Sequence, residues 1–228
     1  MSGLERLQAE IIACRRCPRL VEWRERVARE KVARFRDEEY WGRPLPGFGD
    51  PEARILIIGL APAAHGGNRT GRVFTGDASG DFLWSALHEV GLANRASSRR
   101  ADDALRLRDA YIAAAVRCAP PANKPLPSER DNCAPFLHRE LALLRGVRVI
   151  VPLGAFGWEV AFRAIAAVAG VDARPRPKFG HGAEARVGGY TVVGSYHPSQ
   201  QNTFTGRLTA PMLVSVLARA VQIAAGSE

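Results

Sequence analysis

Four cysteines are the residues of this chain best suited to bind a metal. Cys14 and Cys17 form a Cys-x-x-Cys pair near the start, Cys118 and Cys133 follow in the middle of the chain, and there are no others. Four thiolates suit either a tetrahedral zinc ion or a four-iron cluster, and spacing alone does not decide between the two. The alternative is independent burial of the four thiols, since free cysteine is a common core residue.

We expect these cysteines to be reduced rather than paired in disulfides. Structural disulfides are typical of exported proteins. The opening residues, MSGLERLQAEIIACRRC, form a charged amphipathic stretch without the apolar centre of a signal peptide. The expected location is therefore a reducing one, the cytoplasm.

A carboxylate, an imidazole and an amide could carry out acid–base chemistry. Asp77 could act as a general base or stabilise a developing cation, although it could also simply cap a helix that begins near Ser79. His197 follows the last predicted strand and could donate a hydrogen bond to a developing anion. Asn123, in the turn PPANKP, could present its amide to a ligand or only shape the turn. These three residues are the candidates for catalysis.

The loop that contains Asp77 could bind a planar ligand. Residues 59–77 read GLAPAAHGGNRTGRVFTGD, and the glycines would let the backbone approach a ligand closely. Phe74 could stack on a planar ring, although it could equally fill space beneath the loop. The loop matches neither common glycine-rich nucleotide-binding pattern, so ATP and dinucleotides are not indicated.

Composition indicates a single domain over residues 1–228 with a basic surface. Hydrophobic residues make up 46% and charged residues 24% of the chain, and no apolar run is long enough to cross a membrane. The formal net charge is +9. That excess favours a polyanionic partner, most simply nucleic acid, over a merely solvated basic surface.

The elements that must position these residues alternate between strands and helices. Apolar runs predict strands at Arg54–Gly59, Tyr111–Val116, Val147–Leu153 and Tyr190–Ser195. Helical patterns cover Ser79–Val90, Asp131–Leu144, Ala155–Val168 and Leu208–Ala224. This alternation predicts an α/β fold, a parallel sheet sandwiched between helices. The polar loops 59–77, 117–125, 153–157 and 196–206 all follow strands, where open α/β sheets bind their ligands.

The remaining segments carry weaker signals. Residues 1–32 predict one or two helices broken at Pro18, and residues 33–52 are rich in Pro and Gly and should be irregular, so residues 1–52 form an extension that carries two of the cysteines. Residues 173–189 predict a basic surface loop. Ser128 and Asp131 form a loose capping box.

The segments GLAPAAHGGNRTGRVFTGD and YHPSQQNTFTG resemble the uracil-DNA glycosylase superfamily, and the resemblance extends over about residues 10–220. It is strongest to the family 5 type, often called UDGb. The resemblance implies a three-layer α/β/α sandwich with a central four-stranded parallel sheet, and a 4Fe-4S cluster on the four cysteines that orders loops near DNA. It also implies a monofunctional enzyme of base excision repair, which hydrolyses the N-glycosidic bond of uracil and other deaminated bases, such as hypoxanthine and xanthine.

Two departures from the related family 4 pattern bear on substrate choice. Family 4 reads GEAPG where this chain has Leu60 in place of the acidic residue, and it has a uracil-reading asparagine where this chain has Ala114. A pocket without that amide should discriminate bases less sharply. Asp77 is left as the catalytic carboxylate that the resemblance supports. The expected substrate-binding residues are Gly59, Leu60, Ala61, Ala63, His65, Phe74 and Ala114.

The expected DNA contacts come from arginines and from the loop after the last strand. Residues 198–206 should press into the minor groove beside an extruded nucleotide. The expected DNA-binding residues are Arg69, Arg72, Ser199, Gln200, Gln201, Asn202 and Arg207.

We expect a monomer associated with the nucleoid, with no lyase step because no lysine is a persuasive nucleophile. Two other interpretations remain open at this point. One is a narrow, uracil-specific enzyme of the family 4 type. The other is a non-enzymatic iron–sulfur protein that binds DNA or senses redox state.

Overall fold

A six-stranded sheet forms the centre of the fold in the computed structural model, which describes residues 2–226. Its strands are β1 (Phe48–Gly49), β2 (Ile55–Gly59), β3 (Ala110–Ala114), β4 (Val149–Pro152), β5 (Glu184–Val187) and β6 (Tyr190–Val193). Their order across the sheet is β1-β3-β2-β4-β6-β5. The four central strands run parallel, and β1 and β5 pair antiparallel at the two edges.

Helices connect the parallel strands and precede the sheet. They are α1 (Gly3–Ile12), α2 (Pro18–Glu30), α3 (Gly67–Thr70), α4 (Ala78–Glu89), α5 (Pro127–Leu143), α6 (Gly154–Ala169), α7 (Gln200–Phe204) and α8 (Ala210–Ala224). Short 3-10 turns occur at Ala33–Phe35 and Pro121–Asn123. Among residues 2–226, no helix combines the length and the apolarity that crossing a membrane requires.

Two apolar cores on opposite faces of the sheet produce the three layers. Alternate residues of a strand point to opposite faces, so Ile57 joins one core and Ile58 the other. Trp84 of α4 and the apolar side of α8 cover the first face, and Trp158 of α6 covers the second together with Leu137 of α5. Strands covered on both sides are apolar throughout, and every residue of β2 is buried. The α/β fold expected from the sequence is confirmed.

The two edge strands were not predicted. β5 lies within the expected basic loop 173–189. Its exposed positions are the charged residues Glu184 and Arg186, and they hide the apolar pattern by which a strand is recognised. β1 is only two residues long and lies in the Pro/Gly-rich segment expected to be irregular.

The N-terminal segment packs against the second layer of helices. It consists of two helices separated before Pro18, as expected, because proline is tolerated in the first turn of a helix. Leu7 and Ile11 of α1 are fully buried against Phe136 of α5. The predicted capping box at Ser128 is wrong, because α5 already begins at Pro127 and the Glu129 carboxylate accepts the Leu126 N–H at 2.7 Å.

Candidate active site

Strand ends and the loops that follow them meet at the carboxyl edge of the sheet. Gly59, the last residue of β2, is the register partner of Ala114, the last residue of β3. Beyond β4 and β6, the Gly154 N–H donates to the Ser195 carbonyl at 2.7 Å. Position 154 has a φ of 85° and lies against His197, since a Cβ there would be 3.3 Å from the His197 Cβ. Distant parts of the chain are thereby brought to one edge.

Phe74 lies directly over the end of β2. A Cβ at Gly59 would be only 2.7 Å from the Phe74 ring, so glycine is required for the ring to lie there. Phe74 has a φ of 50°, which is rare for an aromatic residue, and the Trp84 indole N–H fixes its carbonyl with a 2.5 Å hydrogen bond. Strained backbone that is held by its surroundings is frequent at functional sites. The ring is half-buried and keeps one part accessible.

Asp77 both caps α4 and faces the first loop. Its Oδ1 accepts the Gly80 N–H at 2.9 Å, which confirms the helix cap considered from the sequence. Its Oδ2 lies against Gly66, where a Cβ would be only 2.0 Å away. Burial raises the pKa of Asp77, while hydrogen bonds from the Gly80 and Ser79 amides act in the opposite direction. The cap therefore leaves the second oxygen directed toward the loop.

His197 is a neutral hydrogen-bonding group at this edge. Its ring centroid is 6.0 Å from that of Phe74, with the planes inclined by 35°. Burial lowers its pKa to about 4, so the imidazole is uncharged at neutral pH. Asn202 donates from its side-chain amide to the His197 carbonyl at 2.8 Å. That bond fixes the turn that presents the imidazole.

The first loop is held by its own network. The Tyr40 hydroxyl is 3.1 Å from His65 Nδ1, and burial, together with nearby arginines, lowers the pKa of His65. Leu60, Ala61 and Ala63 are each partly exposed.

The structure contradicts the expectation that Arg69 and Arg72 face DNA. Each side chain is only 6% exposed. Arg69 donates to the His65 carbonyl at 2.8 Å and pairs with Glu38, and Arg72 pairs with Asp103 at 2.5 Å. Burial raises the pKa of Asp103, but hydrogen bonds from Arg72 and nearby backbone amides outweigh this effect and lower the pKa to about 2. These arginines stabilise the loop from inside, because their acidic partners, distant in sequence, meet them there.

The segment after β6 divides into structural and exposed residues. Ser199 accepts the Asn202 N–H as the cap of α7, and Asn202 fixes the preceding turn, so both have local structural roles. Gln200 and Gln201 are exposed. Arg207 is also exposed, with its guanidinium 4.7 Å above the Tyr196 ring. Sequence reasoning did not single out Phe204 at the end of α7, which is 80% exposed.

A cavity of about 1040 Å³ opens beside Asp77. Its wall includes Gln200 of α7 and three exposed arginines that sequence reasoning did not single out, namely Arg34, Arg99 and Arg100. Only their contribution to the net charge could have pointed to them. The wall also contains carboxylates, and one of them, Asp102, pairs with Arg100 at 3.0 Å. Asn123 is not among the residues that line this cavity. It is exposed on the turn after β3, with a φ of 55°.

The cysteines lie between the N-terminal helices and α5. Cys118 and Cys133 are buried together, with Cys17 and Ala61 of the first loop packed against them. Cys14 packs against the adjoining cluster of Leu7, Ile11 and Phe136. All four are free thiols.

The four thiols could hold a metal group between them. Burial raises the pKa of Cys118 to about 12 and that of Cys133 to about 11, and the charges of the other cysteines act in the same direction. Within residues 2–226, no three His, Cys, Asp or Glu side chains are gathered as a single-ion site. Four thiols as donors suit either a tetrahedral zinc ion or a four-iron cluster.

Comparisons with known proteins agree over nearly the whole chain. A protein named Type-5 uracil-DNA glycosylase from Mycobacterium tuberculosis (strain CDC 1551 / Oshkosh) is 53% identical over 220 residues, which cover 96% of this chain and 81% of that protein. Another of the same name from Thermus thermophilus is 55% identical over 215 residues, 94% and 95% of the two chains. A Type-4 uracil-DNA glycosylase from Archaeoglobus fulgidus is 29% identical over 163 residues, 71% and 65% of the two chains.

A family model gives the same result. The model described as the uracil DNA glycosylase superfamily matches residues 46–220, a range that contains the whole carboxyl edge described above. Together with the Type-5 relatives, this match shows that the chain belongs to the uracil DNA glycosylase superfamily.

Proposed function

We propose that this protein is a monofunctional DNA glycosylase that removes uracil from DNA by hydrolysing its N-glycosidic bond. The observation that carries the proposal is that Phe74 and Asp77 of the first loop and His197 of the loop after β6 lie at the same edge of the sheet, with the Phe74 and His197 rings 6.0 Å apart and Asp77 against Gly66. A stacking ring, a carboxylate and a neutral imidazole are the groups that this reaction uses. The relatives named Type-5 uracil-DNA glycosylase support the same activity.

The target nucleotide must leave the duplex stack before these groups can reach it. Phe74 then stacks on the base, because its ring is already fixed over Gly59 and keeps an accessible part. Backbone amides of the first loop bind the carbonyl edge of the base. Fixing the groups before the substrate arrives lowers the cost of orienting it.

Bond cleavage leaves negative charge on the base and positive charge on the sugar. A neutral His197 donates its N–H to the oxygen on which the negative charge develops. The Asp77 Oδ2, which α4 capping leaves available, stabilises the sugar cation and positions water. Asn123 assists only if its exposed turn approaches the bound DNA, so its role is secondary.

Substrate range follows from the end of β3. Ala114 is 3% exposed and offers a methyl group rather than an amide beside Gly59. A site without a fixed amide partner does not penalise a base that lacks the matching group. We therefore include hypoxanthine and xanthine among the substrates of this site.

DNA is held by the exposed groups around the cavity. Arg207 and the cavity arginines neutralise phosphates, and α7 enters the minor groove with Phe204 as the wedge that replaces the extruded base. The enzyme acts as a monomer on the nucleoid, in the cytoplasm.

The cofactor of this site is a 4Fe-4S cluster on Cys14, Cys17, Cys118 and Cys133. When bound, it supplies a structural cross-link between the N-terminal helices and α5. Ala61 packs against the cysteine group, so the cross-link lies directly beneath the base-binding loop.

A panel of duplexes tests this function. Each duplex carries uracil, hypoxanthine, xanthine or an undamaged base, and abasic sites are measured by alkaline cleavage. We expect cleavage of the uracil, hypoxanthine and xanthine duplexes and none of the control. Binding without abasic-site formation on any duplex would favour the non-enzymatic interpretation.

A further inference from the structure

Arg24 is a buried side chain whose bonding the proposed reaction does not explain. It lies on α2 and is 2% exposed. Its Nε and Nη1 atoms are buried and have no hydrogen-bond partner among residues 2–226. Its Nη2 makes a long contact of 3.5 Å to the Cys14 carbonyl and lies 3.7 Å from Glu25 Oε1. Leaving guanidinium donors unsatisfied in the interior is costly, so this arrangement requires a partner.

Neighbouring carboxylates do not supply that partner. The Oε1 atom of Glu25 is 3.7 Å from Arg24 Nη2. However, the Glu25 side chain is 33% exposed, and Arg15 binds both of its oxygens. A second buried arginine beside the cysteines, Arg117, shows the contrast. Both of its Nη atoms pair with Glu140, which is completely buried, so that within residues 2–226 its Nε alone lacks a partner. Arg24 therefore shares a partly exposed carboxylate at long range with Arg15, and its Nε and Nη1 donors have no acceptor among residues 2–226.

The guanidinium lies beside the N-terminal half of the cysteine site. Its Nη2 is 3.5 Å from the carbonyl of Cys14, one of the four cysteines. Arg24 lies on α2, whose N-cap is Cys17, a second member of the four.

The backbone of Arg24 is also fixed. Asn68 of α3 is completely buried and donates from its side-chain amide to the Arg24 carbonyl at 3.2 Å. This bond anchors α2 to α3 at the residue that carries the guanidinium.

We propose that Arg24 is a positioning residue for the iron–sulfur cofactor, supplying a positive charge and hydrogen-bond donors to the four-thiolate site. The inference rests on the proposed cofactor. Four thiolates outweigh the positive charge of a 4Fe-4S core, so the occupied site is anionic and offers an acceptor to the unpaired Nε and Nη1 donors of Arg24. Charge and hydrogen bonds at the sulfurs set the reduction potential of such clusters, and a cation raises it because it favours the more negative, reduced form.

The test is a reductive titration of the purified protein, with iron and sulfide content measured on the same samples. Arg24→Met keeps similar volume but removes the charge and the donors, and Arg24→Lys keeps the charge. Arg29→Met, an exposed position on the same helix, is the matched control. At the wild-type midpoint, the ratio of reduced to oxidised cluster should fall about tenfold in Arg24→Met, equivalent to a shift of about 59 mV for one electron. In Arg24→Lys the ratio of reduced to oxidised cluster should fall less, and in Arg29→Met it should equal that of the wild type.

Each outcome separates the inference from the proposed cofactor. A wild-type protein without iron after anaerobic purification contradicts the cofactor and the inference with it. An iron-loaded Arg24→Met with a wild-type midpoint contradicts the inference alone. If Arg24→Met folds but retains no iron, the rate at which a chelator removes iron is measured for the two other variants. A role for Arg24 at the cluster predicts that iron leaves Arg24→Lys several-fold faster than it leaves Arg29→Met. Equal release rates would then overturn it.

Discussion

Individual residues in this protein combine structural and chemical roles. Asp77 could be interpreted from sequence either as a helix cap or as a catalytic carboxylate, and the structure shows why these are compatible. One oxygen accepts the Gly80 amide, and the other lies against Gly66 of the first loop. The cap orients the carboxylate as well as beginning the helix, so one aspartate satisfies both requirements. Sequence alone could not show the second contact, because the fold of the first loop is what brings Gly66 next to Asp77.

Ala114→Asn should narrow the substrate range toward uracil. The residue lies at the end of β3 beside Gly59, where an amide could pair with the uracil edge and would take space that a purine needs. We expect the ratio of single-turnover rates on uracil and hypoxanthine duplexes to rise by about tenfold, the discrimination that one small steric change typically gives. Ala113→Ser, in the same strand with its side chain on the opposite face, is the control. An unchanged ratio in a folded Ala114→Asn protein would show that position 114 does not set specificity.

His197 should make the folded state less stable in acid. Burial lowers its pKa to about 4 from an ordinary 6.5, so the unfolded chain binds more protons between these values. The free energy of unfolding should consequently rise with pH from about 4 to about 6.5. Urea titrations of His197→Gln should show a weaker rise over this window, while the exposed control His88→Gln keeps the wild-type slope. Parallel curves for His197→Gln and the wild type would refute the buried, neutral imidazole.

A strand of this sheet could be predicted from the sequence when both of its faces are buried. β2 and β3 are apolar at every position because helices cover both sides, so they were clear in the sequence. β5 has one face in solvent, and its charged residues gave it the pattern of a loop. Arg69 and Arg72 were assigned to DNA for a similar reason: their partners Glu38 and Asp103 lie about thirty residues away in sequence, where local reading does not reach.

Phe204 at the end of α7 should be needed for duplex substrates more than for single strands. A wedge fills the gap left by an extruded base, and single-stranded DNA has no partner strand to hold apart. We expect Phe204→Ala to lower single-turnover excision about tenfold on duplex DNA and much less on single-stranded DNA. Leu126→Ala removes an apolar side chain that is 47% exposed at the start of α5 and serves as control. Equal losses on both substrates would argue against a wedge.

For the whole molecule, the net charge of +9 should govern binding to undamaged DNA. Each phosphate contact releases counterions, so log affinity should fall steeply and linearly with log salt concentration. Arg207→Gln removes one exposed contact and should reduce the slope by about one. Arg186→Gln, on the edge strand β5, is the control, since Arg186 is exposed and does not line the cavity. A flat wild-type plot would contradict electrostatic binding.

Phe74, Asp77 and His197 are proposed to act together in the excision of uracil. Release of free uracil from a uracil-containing duplex under single-turnover conditions tests this proposal most directly, with wild type and Asp77→Asn compared at equal folding. Asparagine preserves the helix cap but not the charge that the cationic sugar requires. We predict uracil release by the wild type and a loss of at least about a hundredfold in Asp77→Asn, with affinity for the damaged duplex retained. Wild-type rates in Asp77→Asn would contradict the account.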